Sequence, residues 1–157
     1  MSRAKRYFTL AKIFLIRDGY KRADYLRRKK YFKKCGKHCY FQPWNFGTEP
    51  FMLSFGENVH VASGVSFVSH DITAMMFRYT DNDQSIKIRR GPISIGNNVF
   101  IGSNTTLLYD VKIGNNVIIG AGSLVNKDIP DGSVAAGVPC RVIGSYDEYK
   151  KKIKRRI

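Results

Sequence analysis

The sequence predicts an all-β solenoid, a parallel β-helix whose coils are assembled from hexapeptides and whose two ends carry basic helical caps. Three observations predict it. Ile95, Ile101, Leu107, Ile113, Ile119 and Val125 stand six apart without a break. Four positions after each come Val99, Thr105, Val111, Val117, Ser123 and Ile129, all small, β-branched or both. An earlier block, Phe55, Val61 and Phe67 with followers Val59 and Val65, keeps the same step. Strict alternation marks a half-buried strand and a three-to-four step marks a helix; a six-residue period fits neither. Self-similarity at so short a period belongs to β-helices. Buried strands joined by Asn-Gly turns would also give apolar runs, but they need no common register between two separate blocks.

The elements follow in order. Residues 1–40 hold fourteen Lys and Arg against Asp18 and Asp24, a net of +12. AKRYFTLAKIFLIRDGY and KRADYLRRKKYFKKCGK read there as helices that cap one end with a basic outer face. The β-helix domain is expected over 41–144. Each hexad supplies one short strand and one corner, and three hexads close a triangular coil. The anchor points inward and stacks on its counterparts above and below, each burial contributing roughly 1.5–3 kcal/mol. The small follower is expected near the narrow corner, where a larger side chain would overpack. Asn97-Asn98 and Asn115-Asn116 suit tight corners because they tolerate left-handed backbone angles. The repeat breaks once, over 71–92, in DITAMMFRYTDNDQSIKIRRGP. A long insertion in a compact domain is usually functional or disordered. With Met75, Met76, Phe77 and Tyr79, this one is expected to fold against a neighbouring subunit. Residues 145–157, SYDEYKKKIKRRI, read as a C-terminal basic helix.

The net charge of +15 is concentrated at the two ends. The repeat region between them is close to neutral, and no nucleic-acid recognition fold accompanies the charge, so nucleic acid is not an expected partner. The basic ends suit solvent, an anionic membrane surface or a polyanionic substrate. FTLAKIFLI is too short to span a bilayer and is broken by Lys12. No small-residue cleavage site follows the basic start. Three cysteines make no disulfide framework and suit a reducing cytoplasm. Cys35, His38 and Cys39 lack a second ligand pair, so no metal is expected. His70 lies three residues after the anchor Phe67, at the edge where the insertion departs. Of the three histidines it is the best placed for acid–base work.

With the hexad blocks, a histidine opening a loop after the first block, and the closing stretch GAGSLVNKDIPDGSVAAGVPCRVIG, the chain resembles the hexapeptide-repeat acetyltransferases. The likeness is nearest to sugar and polysaccharide O-acetyltransferases such as the maltose and galactoside enzymes, and it covers roughly residues 51–144. The resemblance implies a left-handed coil, a homotrimer with sites between subunits, acetyl-CoA as donor and a carbohydrate hydroxyl as acceptor. By the same resemblance His70 is the general base. Ser103 and Ala121 line the pantetheine groove, Asn126 and Lys127 lie near the adenine and phosphate end, and Arg141 meets the nucleotide phosphates. Phe100 stands where sugar enzymes often carry tryptophan, and Trp44 and Asn45 are candidates for the acceptor side. Asp71 takes the place of the family's frequent Pro after the histidine and is a candidate to orient the imidazole. Other readings are an amino-sugar N-acetyltransferase, a non-catalytic scaffold, and a zinc hydratase of the gamma carbonic anhydrase type. The last needs three histidine ligands, and only His60 and His70 flank the first coils.

Overall fold

The computed structural model describes residues 3–155. Helices α1 (Arg3–Leu15) and α2 (Gly19–Arg28) lead into β1 (Lys34–Cys35), β2 (Tyr40–Phe41), β3 (Leu53–Phe55), β4 (Val59–Val61), β5 (Ser66–Val68) and β6 (His70–Asp71). Helix α3 (Thr73–Thr80) and β7 (Arg89–Arg90) form the insertion. Then come β8 (Ile93–Ile95), β9 (Val99–Ile101), β10 (Thr106–Leu108), β11 (Val111–Ile113), β12 (Val117–Ile119) and β13 (Leu124–Val125). The chain ends in β14 (Ser133–Ala136), β15 (Arg141–Ser145) and α4 (Tyr146–Lys154).

The strands take turns among three sheets, ordered β1-β3-β8-β11, β13-β10-β5 and β15-β14-β12-β9-β4-β2. From β8 to β13 each strand pairs in parallel with the strand three places on. Ile93 meets Val111, Val99 meets Val117 and Thr106 meets Leu124, so one circuit takes eighteen residues, three hexads. Across the insertion the same pairings span forty residues, as in Val59 with Val99 and Phe67 with Leu107. The insertion thus adds twenty-two residues, forty less eighteen, without disturbing the register.

All nine anchors are buried, as are their followers. The followers do not sit at corners, however. In β4, β9, β11 and β12 the follower is the first residue and the next anchor the third. A strand's period of two points both inward and turns the middle residue out. The corners are made just ahead of the followers, by Asn58, Asn98 and Asn116 at φ of 54°, 55° and 54°. Their side chains form a ladder, Asn58 Nδ2 donating to Asn98 Oδ1 and Asn98 Nδ2 to Asn116 Oδ1, each at 3.0 Å. Where a follower is polar its hydroxyl finds a carbonyl: Thr105 Oγ1 and Ser123 Oγ both donate to Gly120 O, at 3.2 and 2.6 Å.

The stack begins earlier than expected. β1 pairs with β3 and β2 with β4, so parallel pairing reaches upstream of residue 41. A plug of Phe32, Phe41, Phe46 and Phe55, ring centroids 4.8 to 6.4 Å apart, fills that end, and Ile13 of α1 and Leu26 of α2 join the same core. At the other end β15 folds back antiparallel on β14, and α4 buries no side chain in this single copy.

Arg22 of α2 ties the N-terminal helices to the stack. Only 6% exposed, it donates to the carbonyls of Ile13 (3.2 Å), Phe41 (2.9 Å), Gln42 and Ile16. Truncation would leave those acceptors without their charged donor. Arg22→Ala is therefore expected to lose about 3 kcal/mol of stability. An unchanged urea midpoint would show that α1 and α2 are held by packing alone.

Candidate active site

The sequence SHDITA turns the chain out of β5 into the insertion, and β6 is held there by antiparallel pairing with β7: His70 opposite Arg90, Asp71 opposite Arg89. Glu49 comes from the segment before β3, at the head of a 3₁₀ turn, Pro50–Met52. Its Oε2 lies 2.8 Å from His70 Nδ1 and accepts a hydrogen bond from Ser69 Oγ. Its Oε1 lies 3.2 Å from Arg90 Nε. The carboxylate is only 14% exposed and His70 28%. An ionised carboxylate can only accept, so the proton belongs on Nδ1 and the lone pair on Nε2. Nε2 has no hydrogen-bond partner among the described residues. Chemically this is an oriented imidazole with its basic nitrogen open to a ligand.

Burial pushes the Glu49 carboxyl up, but the hydrogen bonds from Ser69 and His70 and the charges of His70 and Arg90 outweigh it and hold it below the ordinary glutamate value. The ionised Glu49 carboxylate therefore stabilises the fold above the unfolded glutamate value, and that increment is lost as pH falls through the lowered folded value. Glu49→Gln is expected to cut turnover about 10²-fold, because a glutamine N–H facing Nδ1 favours the tautomer with its proton on Nε2. The melting-temperature gap between wild type and variant should shrink on acidification. A gap independent of pH would mean that the ionised carboxylate is not what matters.

Asp71 does not orient the imidazole. Its Oδ1 accepts from Thr73 N at 2.8 Å and anchors the start of α3. Neighbouring residues of a strand face opposite ways, so the position after His70 points away from the ring. The insertion, which lacks the hexad pattern, folds α3 and leaves Met75, Met76, Phe77 and Tyr79 exposed in one copy.

Ser103 and Ala121 share one corner, between the six-stranded and three-stranded sheets. Gly122 N donates to Ser103 O at 2.8 Å, and a Cβ on Gly102 would stand 2.5 Å from Ala121 N, so adjacent turns are closely stacked there. Asn126 and Lys127, both exposed, follow β13 at the next corner round. Arg141 opens β15 opposite Ala136, with Nη1 on Cys140 O at 2.7 Å. His70 follows β5, whereas Ser103 precedes β10, its parallel neighbour. In one copy the base and the Ser103–Ala121 corner therefore lie at opposite ends of the three-stranded sheet. Phe100, 47% exposed, sits on the outer face of the six-stranded sheet between His60 and Ile118. Trp44 and Asn45 line a recess of about 360 Å³ with Phe67, three residues from His70. Cys39 is buried, its thiol 3.3 Å from Gly56 O.

Glu49 and Arg90 are the site residues that sequence reasoning missed. The only signal was an isolated acid next to a proline ahead of the first block.

Residues 92–127 match the family model for the bacterial transferase hexapeptide (six repeats). The chain is 46% identical over 110 residues to Protein CapG of Staphylococcus aureus, an alignment covering 69% of this chain and 61% of that protein. It is 34% identical over 157 residues to a galactoside O-acetyltransferase of Lactococcus lactis subsp. lactis, covering 78% and 72%. Among solved structures it superposes on a galactoside acetyltransferase in complex with coenzyme A, TM-score 0.65 at 26% identity, covering 95% of this chain and 82% of that one. The chain spans 49% to 61% of the length of CapG and two further curated relatives.

Proposed function

The chain belongs to the hexapeptide-repeat acetyltransferases, and on that premise we propose that it moves the acetyl group of acetyl-CoA to a carbohydrate hydroxyl, with His70 as general base. The observation that carries this reading is the Glu49–His70 pair with its open Nε2. Nε2 takes the proton of the acceptor hydroxyl as the oxygen attacks the thioester carbonyl. The tetrahedral oxyanion collapses, the carbon–sulfur bond breaks, and the CoA thiolate leaves with the proton returned by the imidazolium. Glu49 holds the ring and balances its transient charge.

The donor arm is assigned to the Ser103–Ala121 corner, where small side chains let it lie close, with Asn126 toward the adenine. Lys127 and Arg141 are assigned to the CoA phosphates. A left-handed coil and a homotrimer complete the reading. A three-fold arrangement can set the His70 edge of one copy beside the Ser103–Ala121 corner of the next, which no single copy does. The similarity to a galactoside acetyltransferase solved with coenzyme A supports donor and acceptor class. The similarity to CapG supports work on a surface or capsular polysaccharide. The residue 1–40 region and the helix over 145–157 are read as basic units flanking the transferase domain. Helix α1 turns Tyr7, Phe8, Phe14 and Leu15 outward, each more than 60% exposed, on a basic background that suits peripheral contact with anionic lipid.

Calorimetric titration with acetyl-CoA tests the reading without knowledge of the acceptor. Saturable binding near one site per subunit is expected. No binding at high concentration would sink it.

A further inference from the structure

Beside His70 stands a cation that the transfer chemistry leaves only partly used. Antiparallel pairing puts Arg90 directly across from His70, so the two side chains leave the ribbon on one face. Arg90 reaches Glu49 through Nε alone, and Nη1 and Nη2 have no hydrogen-bond partner among the described residues. Its side chain is 54% exposed. A purely structural arginine–carboxylate pair is commonly bidentate. Here Oε2 is already taken by His70 and Ser69, which leaves the terminal fork of the guanidinium unused.

The surroundings are cationic. Lys87, Arg89 and Arg90 come within four residues of one another, and the stretch from Ser85 to Pro92 contains no acid. Arg89 stacks over the Tyr109 ring, 5.0 Å from its centroid. Of the acids at hand, Glu49 has both oxygens engaged, Asp71 accepts from Thr73 N, and Asp110 packs its carboxylate against Gly91, the residue after Arg90. A chain carrying +15 also draws anions toward such a cleft.

We propose that Arg90 binds an anionic group on the acceptor, a sugar carboxylate or phosphate, so that the site prefers acidic over neutral carbohydrate. The inference rests on the acetyl-transfer reading and names its acceptor class. Side chains directly opposite on a two-stranded ribbon have Cβ atoms about 4.5–5.5 Å apart. That spacing suits one sugar ring with its anion on the guanidinium fork and a ring hydroxyl at His70 Nε2. Arg89 raises the local positive potential without being required to touch the ligand.

The test compares galactose with galacturonate and with galactose 1-phosphate, following CoA release at saturating acetyl-CoA, in wild type, Arg90→Gln and Arg90→Lys. Wild type should favour one of the anionic sugars at least about ten-fold in kcat/KM, through KM, and lose that preference as salt is added. Preference for galacturonate alone assigns a carboxylate, and for galactose 1-phosphate alone a phosphate. Arg90→Gln should erase the preference, and Arg90→Lys should keep only part of it. Any fall in kcat common to all three acceptors reads the support Arg90 gives Glu49, so only the ratio between acceptors bears on the anion. Should no acceptor turn over, calorimetric binding of the three sugars to the CoA-loaded protein gives the same ratio. An absent preference, or one that Arg90→Gln leaves intact, overturns the inference while acetyl-CoA binding keeps the transfer reading. Loss of acetyl-CoA binding itself would overturn both.

Discussion

Replacing His70 by alanine is expected to slow acetyl transfer by about 10²–10⁴-fold, the usual worth of a positioned general base. Affinity for acetyl-CoA should be unchanged, because the residues assigned to the donor lie on other corners of the stack. The effect should fall on kcat, since the imidazole acts on the hydroxyl as it attacks and contributes little to ground-state binding. Folding should survive: His70 is more than a quarter exposed, and its loss leaves Glu49 with Ser69 and Arg90 as partners. Calorimetry and CoA release measured on the same sample separate these quantities. A His70→Ala protein that binds acetyl-CoA normally and turns over within a few-fold of wild type would remove the base assignment. The corner residues would then have to supply another.

Much of the fold was legible in the sequence, and the reason is periodicity. In a parallel stack every circuit repeats the same environment, so each inward position announces itself six residues later. That is why the anchors from Phe55 to Val125 stand out as core in the sequence alone, and all nine are buried. Non-periodic contacts stayed hidden. β1 and β2 are two-residue strands that carry a single hexad step, Cys35 to Phe41 with Cys39 between, too short to stand out as a repeat, and an aromatic plug fills their end of the stack. Glu49 stands twenty-one residues from His70, and Arg90 is brought back by an insertion that leaves the register intact. No local spacing encodes either meeting. Asp71 looked attractive by adjacency alone, and adjacency on a strand is what turns a side chain to the other face. His70 could be picked out because it lies at the exit from the repeat; its partners could not, because stacking brings them in from elsewhere.

Ala121→Trp is the second large effect expected. Ala121 is exposed and stacks one turn after Ser103, so an indole there projects outward along the corner rather than into the core. Stability should stay within about 0.5 kcal/mol of wild type, as for other surface changes. Acetyl-CoA affinity should fall at least about a hundred-fold, roughly 2.7 kcal/mol, because the arm can no longer lie close to the backbone. Unchanged affinity would mean that the donor groove runs elsewhere. The variant also tests the arrangement of the site. In one copy His70 and Ala121 flank opposite ends of the three-stranded sheet, so on the proposed assignment the base comes from one subunit and the groove from another. Mixed by refolding, His70→Ala and Ala121→Trp subunits should regain activity although each is inactive alone. With random assembly, half the bases and half the grooves are intact, and about a quarter of the sites combine an intact pair. Recovery near that fraction fits a centre shared between copies. No recovery from a mixture shown to have exchanged subunits would return base and groove to a single chain.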